Sequence, residues 1–161
     1  VDFLEINGWK VYFYSCFISQ LTPLYQAVAA LKANHQDNYH KKRQTKLLAA
    51  YVQVIERIAS DPLGSQFRQG DTLGVNNKNW FRAKFLQQYR LFYRCSEQHK
   101  AIVIGWVNDE NTLRAYGSKT DAYKIFEAML KLGDPPSDWD TLLARAKTDT
   151  QAMPPELFEG F

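Results

Sequence analysis

Cysteine is nearly missing from this chain. The two present, Cys16 and Cys95, lie far apart and match no metal or redox spacing. A disulfide framework and a cysteine-based zinc site are thereby excluded, and both thiols are expected to sit in or near the core of a reduced protein. Histidine is equally sparse. His35, His40 and His99 fall in polar connecting segments and are read as solvent-facing. With no H-x-x-H spacing and no carboxylate cluster, neither a metal nor another cofactor is expected. No window approaches 18 uncharged apolar residues, so no membrane span is predicted. The start Val1-Asp2-Phe3-Leu4-Glu5 lacks the basic residues and apolar run of a signal peptide. Repeats and low-complexity tracts are also missing, and the unpaired cysteines together with the lack of a glycosylation sequon point to a cytoplasmic location.

What is present is a chain of 161 residues, 45% hydrophobic and 14% aromatic, enough to bury the core of one domain. The net charge of +3 hides an uneven distribution. Residues 149–161 carry Asp149, Glu156 and Glu159 without a base, so the remainder is more basic than the total suggests. Two stretches hold much of that excess. One is "HKKRQTK", His40 to Lys46. The other is "NWFRAKFLQQYRLFYR", Asn79 to Arg94, which contains Arg82, Lys84, Arg90 and Arg94 and no acid.

Aromatic and β-branched residues in "GWKVYFYSCF" predict a first strand ending near Tyr14. Apolar residues at helical spacing predict a helix from Ser19 to about Asn34, with Pro23 near its first turn. A second helix follows and stops at Asp61-Pro62; cations in its first turns oppose the helix dipole, so stability alone does not account for them. The segment "DPLGSQFRQGDTLGVNNKN" is a loop without the Lys-Ser/Thr of a phosphate-binding loop. Three strands are predicted at about 79–85, 89–95 and 101–107. A third helix runs from an Asp121 or Thr120 cap to Gly133, and "DWDTLLARAK" supplies a short helical piece. The expected architecture is α+β, in the order β-α-α-β-β-β-α: a small, mostly antiparallel sheet with helices packed on one face and the other face open. Residues 1–147 are read as one domain and 148–161 as a C-terminal tail of unassigned role.

Strand alternation puts Trp80, Arg82 and Lys84 on one face, opposite Phe81, Ala83 and Phe85. Arg90, Phe92 and Arg94 share a face in the next strand. With Phe81, Phe85, Leu91 and Tyr93 packed under the helices, four cations are expected to project together from the open face.

The stretch "RAKF…YRLFYR" followed by "IVIGWVNDENTLRAYGSKTDAYKIFEAMLKLGDPPSDW" resembles the YhaV family of bacterial toxins, within the RelE/ParE toxin–antitoxin superfamily. The similarity extends to "INGWKVY" and "YHKKRQTKLLA", and so covers about Asn7 to Trp139. The turn Leu86-Gln87-Gln88 lacks the glycine usual in the family, and "AMPPELFEGF" has no clear counterpart there. The resemblance implies a RelE-like fold and a metal-independent endoribonuclease (an mRNA interferase). In such an enzyme the 2′-hydroxyl of the RNA attacks the adjacent phosphate, inhibiting translation. It also implies neutralisation by a cognate antitoxin, typically an AbrB-like swapped-hairpin protein. Operator DNA would be contacted only through that complex, and the ribosome is a further possible partner.

By position in the motif, Arg82, Arg90 and Arg94 are the candidates for stabilising phosphate charge, because arginine holds its proton too strongly to act as a base. Lys84 is the candidate base, since neighbouring cations favour its neutral form. Arg114 and Tyr116 are candidates for binding and stacking a nucleobase, with Tyr123 a weaker one, and a tyrosine there could relay a proton. Trp80 is core packing or a stacking surface. Lys41, Lys42, Arg43 and Lys46 are either a solvated face or a second RNA-contacting surface. Asn108 to Asn111 read as a hydrogen-bonded turn that fixes Arg114, although Arg82 or Arg94 could instead pair with Asp109 or Glu110. Two other functions suit the same fold: a non-nuclease toxin of the ParE kind, which poisons DNA gyrase, and a DNA-binding corepressor acting with its antitoxin.

Overall fold

Alternating apolar residues build a sheet of five strands among the described residues. These strands are β1 (Leu4–Ile6), β2 (Trp9–Phe13), β3 (Phe81–Phe85), β4 (Tyr89–Ser96) and β5 (Ala101–Val107). Their order is β1-β2-β5-β4-β3; β2 and β5 pair in parallel and the other neighbours antiparallel. The helices are α1 (Ser15–Asn34), α2 (Arg43–Ser60), α3 (Ala122–Lys131) and α4 (Trp139–Ala152). This is a computed structural model and describes residues 1–34 and 37–161, so His35 lies outside the described residues. Among them, no helix is long and apolar enough to cross a membrane.

The α+β class is as expected, but both faces of the sheet are covered. Val11, Phe13, Leu91, Tyr93, Ile102 and Ile104 face α1 and α2. The opposite face, with Tyr12, Phe92, Val103 and Trp106, packs against Phe126 and Leu130 of α3 and Leu142 and Ala146 of α4. The face expected to be open is thus a second core, because α4 is longer than its sequence suggested and lies along β2.

Two local departures have tertiary causes. The first is in α1, which begins at Ser15 rather than Ser19, so Pro23 lies well inside it. Its early start is capped from a distance, the Ser15 N–H donating to Asp149 Oδ2 at 2.9 Å. The second concerns α4, which is capped by the Asp138 carboxylate and continues to Ala152, where the buried Thr150 hydroxyl accepts the Phe13 N–H at 2.9 Å. Beyond it Met153 and Leu157 enter the first core, and Phe158 and Phe161 pack on Phe13.

Between β4 and β5 the register slips after Phe92, leaving Gly105 opposite no partner. The Trp80 ring lies so close that a Cβ on Gly105 would sit 2.6 Å from it. Glycine at this point is a packing requirement.

Candidate active site

The β3–β4 hairpin positions the cations. Its register sets Lys84 opposite Arg90 and Arg82 opposite Phe92, so the expected sharing of one face holds. The turn Leu86-Gln87-Gln88 is made without glycine: Leu86 and Gln87 take φ of 44° and 65°. Each such residue costs about 1 kcal/mol, and surrounding hydrogen bonds hold the shape. Arg90 Nη1 donates to Gln87 O at 2.8 Å and to Tyr89 O at 2.9 Å. Gln88 O accepts the Arg114 N–H at 2.9 Å and Asn108 Nδ2 at 3.0 Å.

Asn108 is the hub of this corner. Fully buried, it accepts the Arg90 N–H on Oδ1 at 2.8 Å and also reaches Thr112 O at 2.9 Å. The turn that follows closes on itself through Asp109, which accepts from the Asn111 N–H and the Thr112 hydroxyl, both at 2.9 Å. Glu110 pairs with Arg43 at 3.1 Å, not with Arg82 or Arg94.

From α3, on the far side of the sheet, Tyr123 meets the hairpin. Its hydroxyl accepts from Arg82 Nε at 2.9 Å and from Arg90 Nε at 3.3 Å. The Arg114 guanidinium stands 4.6 Å from the centre of the same ring and 3.7 Å from that of Tyr116. A single phenol thus organises three arginines. Arg114 is further held by Asp121 at 2.8 Å. Asp121 is buried, caps α3 through the Tyr123 N–H, and accepts the Ala115 N–H at 2.7 Å. Burial would push this carboxyl up, but the Arg114 and backbone hydrogen bonds outweigh it and hold the carboxyl below its ordinary value.

Above this fixed layer lie exposed groups. Lys84 is exposed, and Tyr116 is 90% exposed. The Tyr116 phenol is held below its ordinary value chiefly by hydrogen bonding from Arg114, then by the Arg114 charge, with smaller help from Lys84 and Arg90. Among the described residues, the only carboxylate paired with any of Arg82, Lys84, Arg90 and Arg114 is Asp121. The site is a cationic corner with an ionisable phenol at its mouth.

Three of the sequence candidates take other roles. Trp80 is 1% exposed, its ring set edge-on against Phe126 at 5.0 Å, so it offers no face to a nucleobase. Arg94 is buried between the Trp80 and Trp139 rings, at 5.8 and 5.6 Å, and Nη1 donates to Ser137 O at 2.6 Å. It lies four residues along β4 from Arg90, roughly 13 Å away, and burial is the main cause that lowers its pKa. Tyr123 is 5% exposed and serves as a support for arginines rather than a stacking surface. The hydrogen-bonded turn expected at Asn108 to Asn111 is present, whereas the parts played by Gln88 and Asp121 carry no local signal beyond the helix-cap position of Asp121.

The basic cluster lies on the other side of the same turn. Lys41, Arg43 and Lys46 border a groove whose remaining wall includes Leu86 and Tyr89. Lys42 is exposed, at the start of α2. His40 and His99 are exposed as expected, and Cys16 and Cys95 are half-buried free thiols raised by burial to about 12 and about 11.

A family model described as a toxin with endonuclease activity, of a toxin–antitoxin system, matches residues 11–147. A relative named ribonuclease toxin YhaV, from Escherichia coli strain K12, is 50% identical over 146 residues, covering 88% of this chain and 95% of its own. A relative from Escherichia coli O157:H7, named toxin YhaV, matches with the same identity and coverage. No solved structure matches the chain significantly.

Proposed function

The chain belongs to the YhaV family of toxins of toxin–antitoxin systems, and from that membership and the cationic corner we propose that it is an endoribonuclease that cuts mRNA without a metal. The observation that carries the reading is the convergence of Arg82 and Arg90 on the Tyr123 hydroxyl, beside Arg114 and Lys84, with one paired carboxylate for four cations. Such a concentration of like charge is costly unless an anion completes it, and a phosphate in pentacoordinate form carries more charge than the ground state.

In the proposed reaction the 2′-hydroxyl forms a bond to the adjacent phosphorus while the bond to the 5′-oxygen breaks, leaving a cyclic phosphate and a 5′-hydroxyl. Arg90 and Arg82 stabilise the charge on the non-bridging oxygens. The Arg114 guanidinium against Tyr116 supports dividing the proton work between Tyr116 and Lys84. The phenolate of Tyr116 takes the 2′-hydroxyl proton, and the Lys84 ammonium gives one to the departing 5′-oxygen. Arg114 holds Tyr116 in place and in its ionisable state. The action is cytoplasmic, where mRNA is found, and the cognate antitoxin is an AbrB-like protein that covers this corner; operator DNA is reached only through that complex.

The decisive experiment is cleavage of end-labelled mRNA in EDTA, with and without ribosomes, comparing the parent protein with Arg90→Ala and Lys84→Ala. Discrete cuts ending in a cyclic phosphate, lost in both variants, support the reading and show whether the ribosome is required. Folded, antitoxin-free protein that cuts nothing under either condition removes it, and inhibition of DNA gyrase then becomes the assay.

A further inference from the structure

The groove beside the β3–β4 turn is not used by the chemistry above. It has a volume of about 330 Å³ and is lined by Lys41, Arg43, Lys46, Leu47, Leu86 and Tyr89, which falls within the ~300–1,000 Å³ of clefts that hold small organic groups. Its floor is apolar and its rim is cationic. Lys41 and Lys46 are exposed and, among the described residues, form no ion pair, while Arg43 is shared with Glu110. Leu86 is 55% exposed at the tip of the turn, a large apolar side chain on a backbone that disfavours one.

The position of the groove matters as much as its lining. Lys84 is two residues from Leu86, about 7 Å along the strand, a distance that a single nucleotide of an extended strand covers. Arg90 is tied to the same turn through Gln87 O. A chain whose scissile phosphate lies at Lys84 and Arg90 therefore reaches the groove by passing over the turn, from the α3 side of the sheet to the α2 side. An apolar floor suits a base, and paired lysines suit the phosphate attached to it.

We propose that this groove is a nucleotide-binding subsite of the nuclease: the base next to the cleavage point packs on Leu47, Leu86 and Tyr89, and its phosphate lies between Lys41 and Lys46. The assignment rests on the RNA-cleaving reading and adds to it a substrate requirement, single-stranded RNA extended beyond the scissile dinucleotide.

Binding of fully 2′-O-methylated RNA, which cannot be cut, tests the subsite by fluorescence anisotropy. The full chain is titrated with a dinucleotide and with oligomers lengthened on the 5′ or the 3′ side. Lengthening on one side should tighten binding, and Leu86→Asn should reduce that gain about tenfold. Asparagine tolerates the positive φ of Leu86, and a melting curve confirms that the variant folds. Lys41→Gln and Lys46→Gln should each flatten the log–log salt slope by about 0.7. Equal binding at every length, or a length gain untouched in all three variants, overturns the subsite while leaving cleavage of unmodified RNA to stand. Binding of a polyglutamate peptide in a Lys46-dependent manner that RNA does not displace overturns it as well, assigning the groove to an acidic protein partner. Failure of the cleavage reading would show separately, as unmodified mRNA left intact.

Discussion

The guanidinium of Arg114 lies against Tyr116, 3.7 Å from its ring centre, and Tyr116 is open to solvent. This contact gives the protein a phenol that ionises below its ordinary pKa of 10.0. Cleavage should therefore rise with pH through that lowered value, because the phenolate is the base. In Tyr116→Phe the rising limb should vanish, and in Arg114→Gln it should move to higher pH, since removing a neighbouring cation raises a phenol. A kcat/KM profile across alkaline pH checks this, and a limb unchanged in Tyr116→Phe would return the base role to Lys84.

Tyr123→Phe removes one oxygen and leaves the Nε–H donors of Arg82 and Arg90 without their acceptor. The expected loss is about 1–2 kcal/mol of stability and on the order of tenfold or more in kcat, with KM changed less. Chemical denaturation and single-turnover cleavage separate the two. A variant that loses stability alone would make Tyr123 structural only.

Asp121→Asn should cost about 3 kcal/mol, because the partly buried Arg114 loses its counter-ion. The pH dependence has a defined sign. The folded carboxyl lies below its ordinary value, so its contribution is complete above the unfolded pKa of about 3.9 and fades as pH falls through the folded one. Denaturation at stepped pH should show this acid loss in the parent protein and a flatter response in the variant.

Arg94→Ala discriminates a packing arginine from a phosphate ligand. With the guanidinium between two indoles and bonded to Ser137 O, its removal should destabilise by about 2 kcal/mol or more. Cleavage per folded molecule should stay close to that of the parent. A loss of kcat in folded protein with undiminished stability would restore Arg94 to the site.

Much of the hairpin was legible because strand geometry is local. Period-two alternation, with the apolar residues of both strands turned toward the helices, put Arg82, Lys84 and Arg90 on one face, and the observed register agrees. The same rule also put Trp80 and Arg94 there, correctly in direction but not in environment: both point toward a face that α3 and α4 cover. Alternation says which side a residue takes and nothing about what lies on that side. Helix α1 shows the same limit at an end, since its first turn is capped by Asp149 from α4, and no nearby residue announces that cap.

By itself, then, the sequence determined the α+β class, the strands β3, β4 and β5 and their facing residues, and the basic character of the β3–β4 hairpin. These follow from side-chain spacing and charge within short windows. Tertiary structure decided which cations lie together. Tyr123 is 41 residues from Arg82 and 33 from Arg90, and only the docking of α3 brings its hydroxyl between them. The same packing holds Arg94 apart from the others, between Trp80 and Trp139 and bonded to Ser137 O. Selection among like residues on one face requires contacts from elements far along the chain, and these form only when the second core closes.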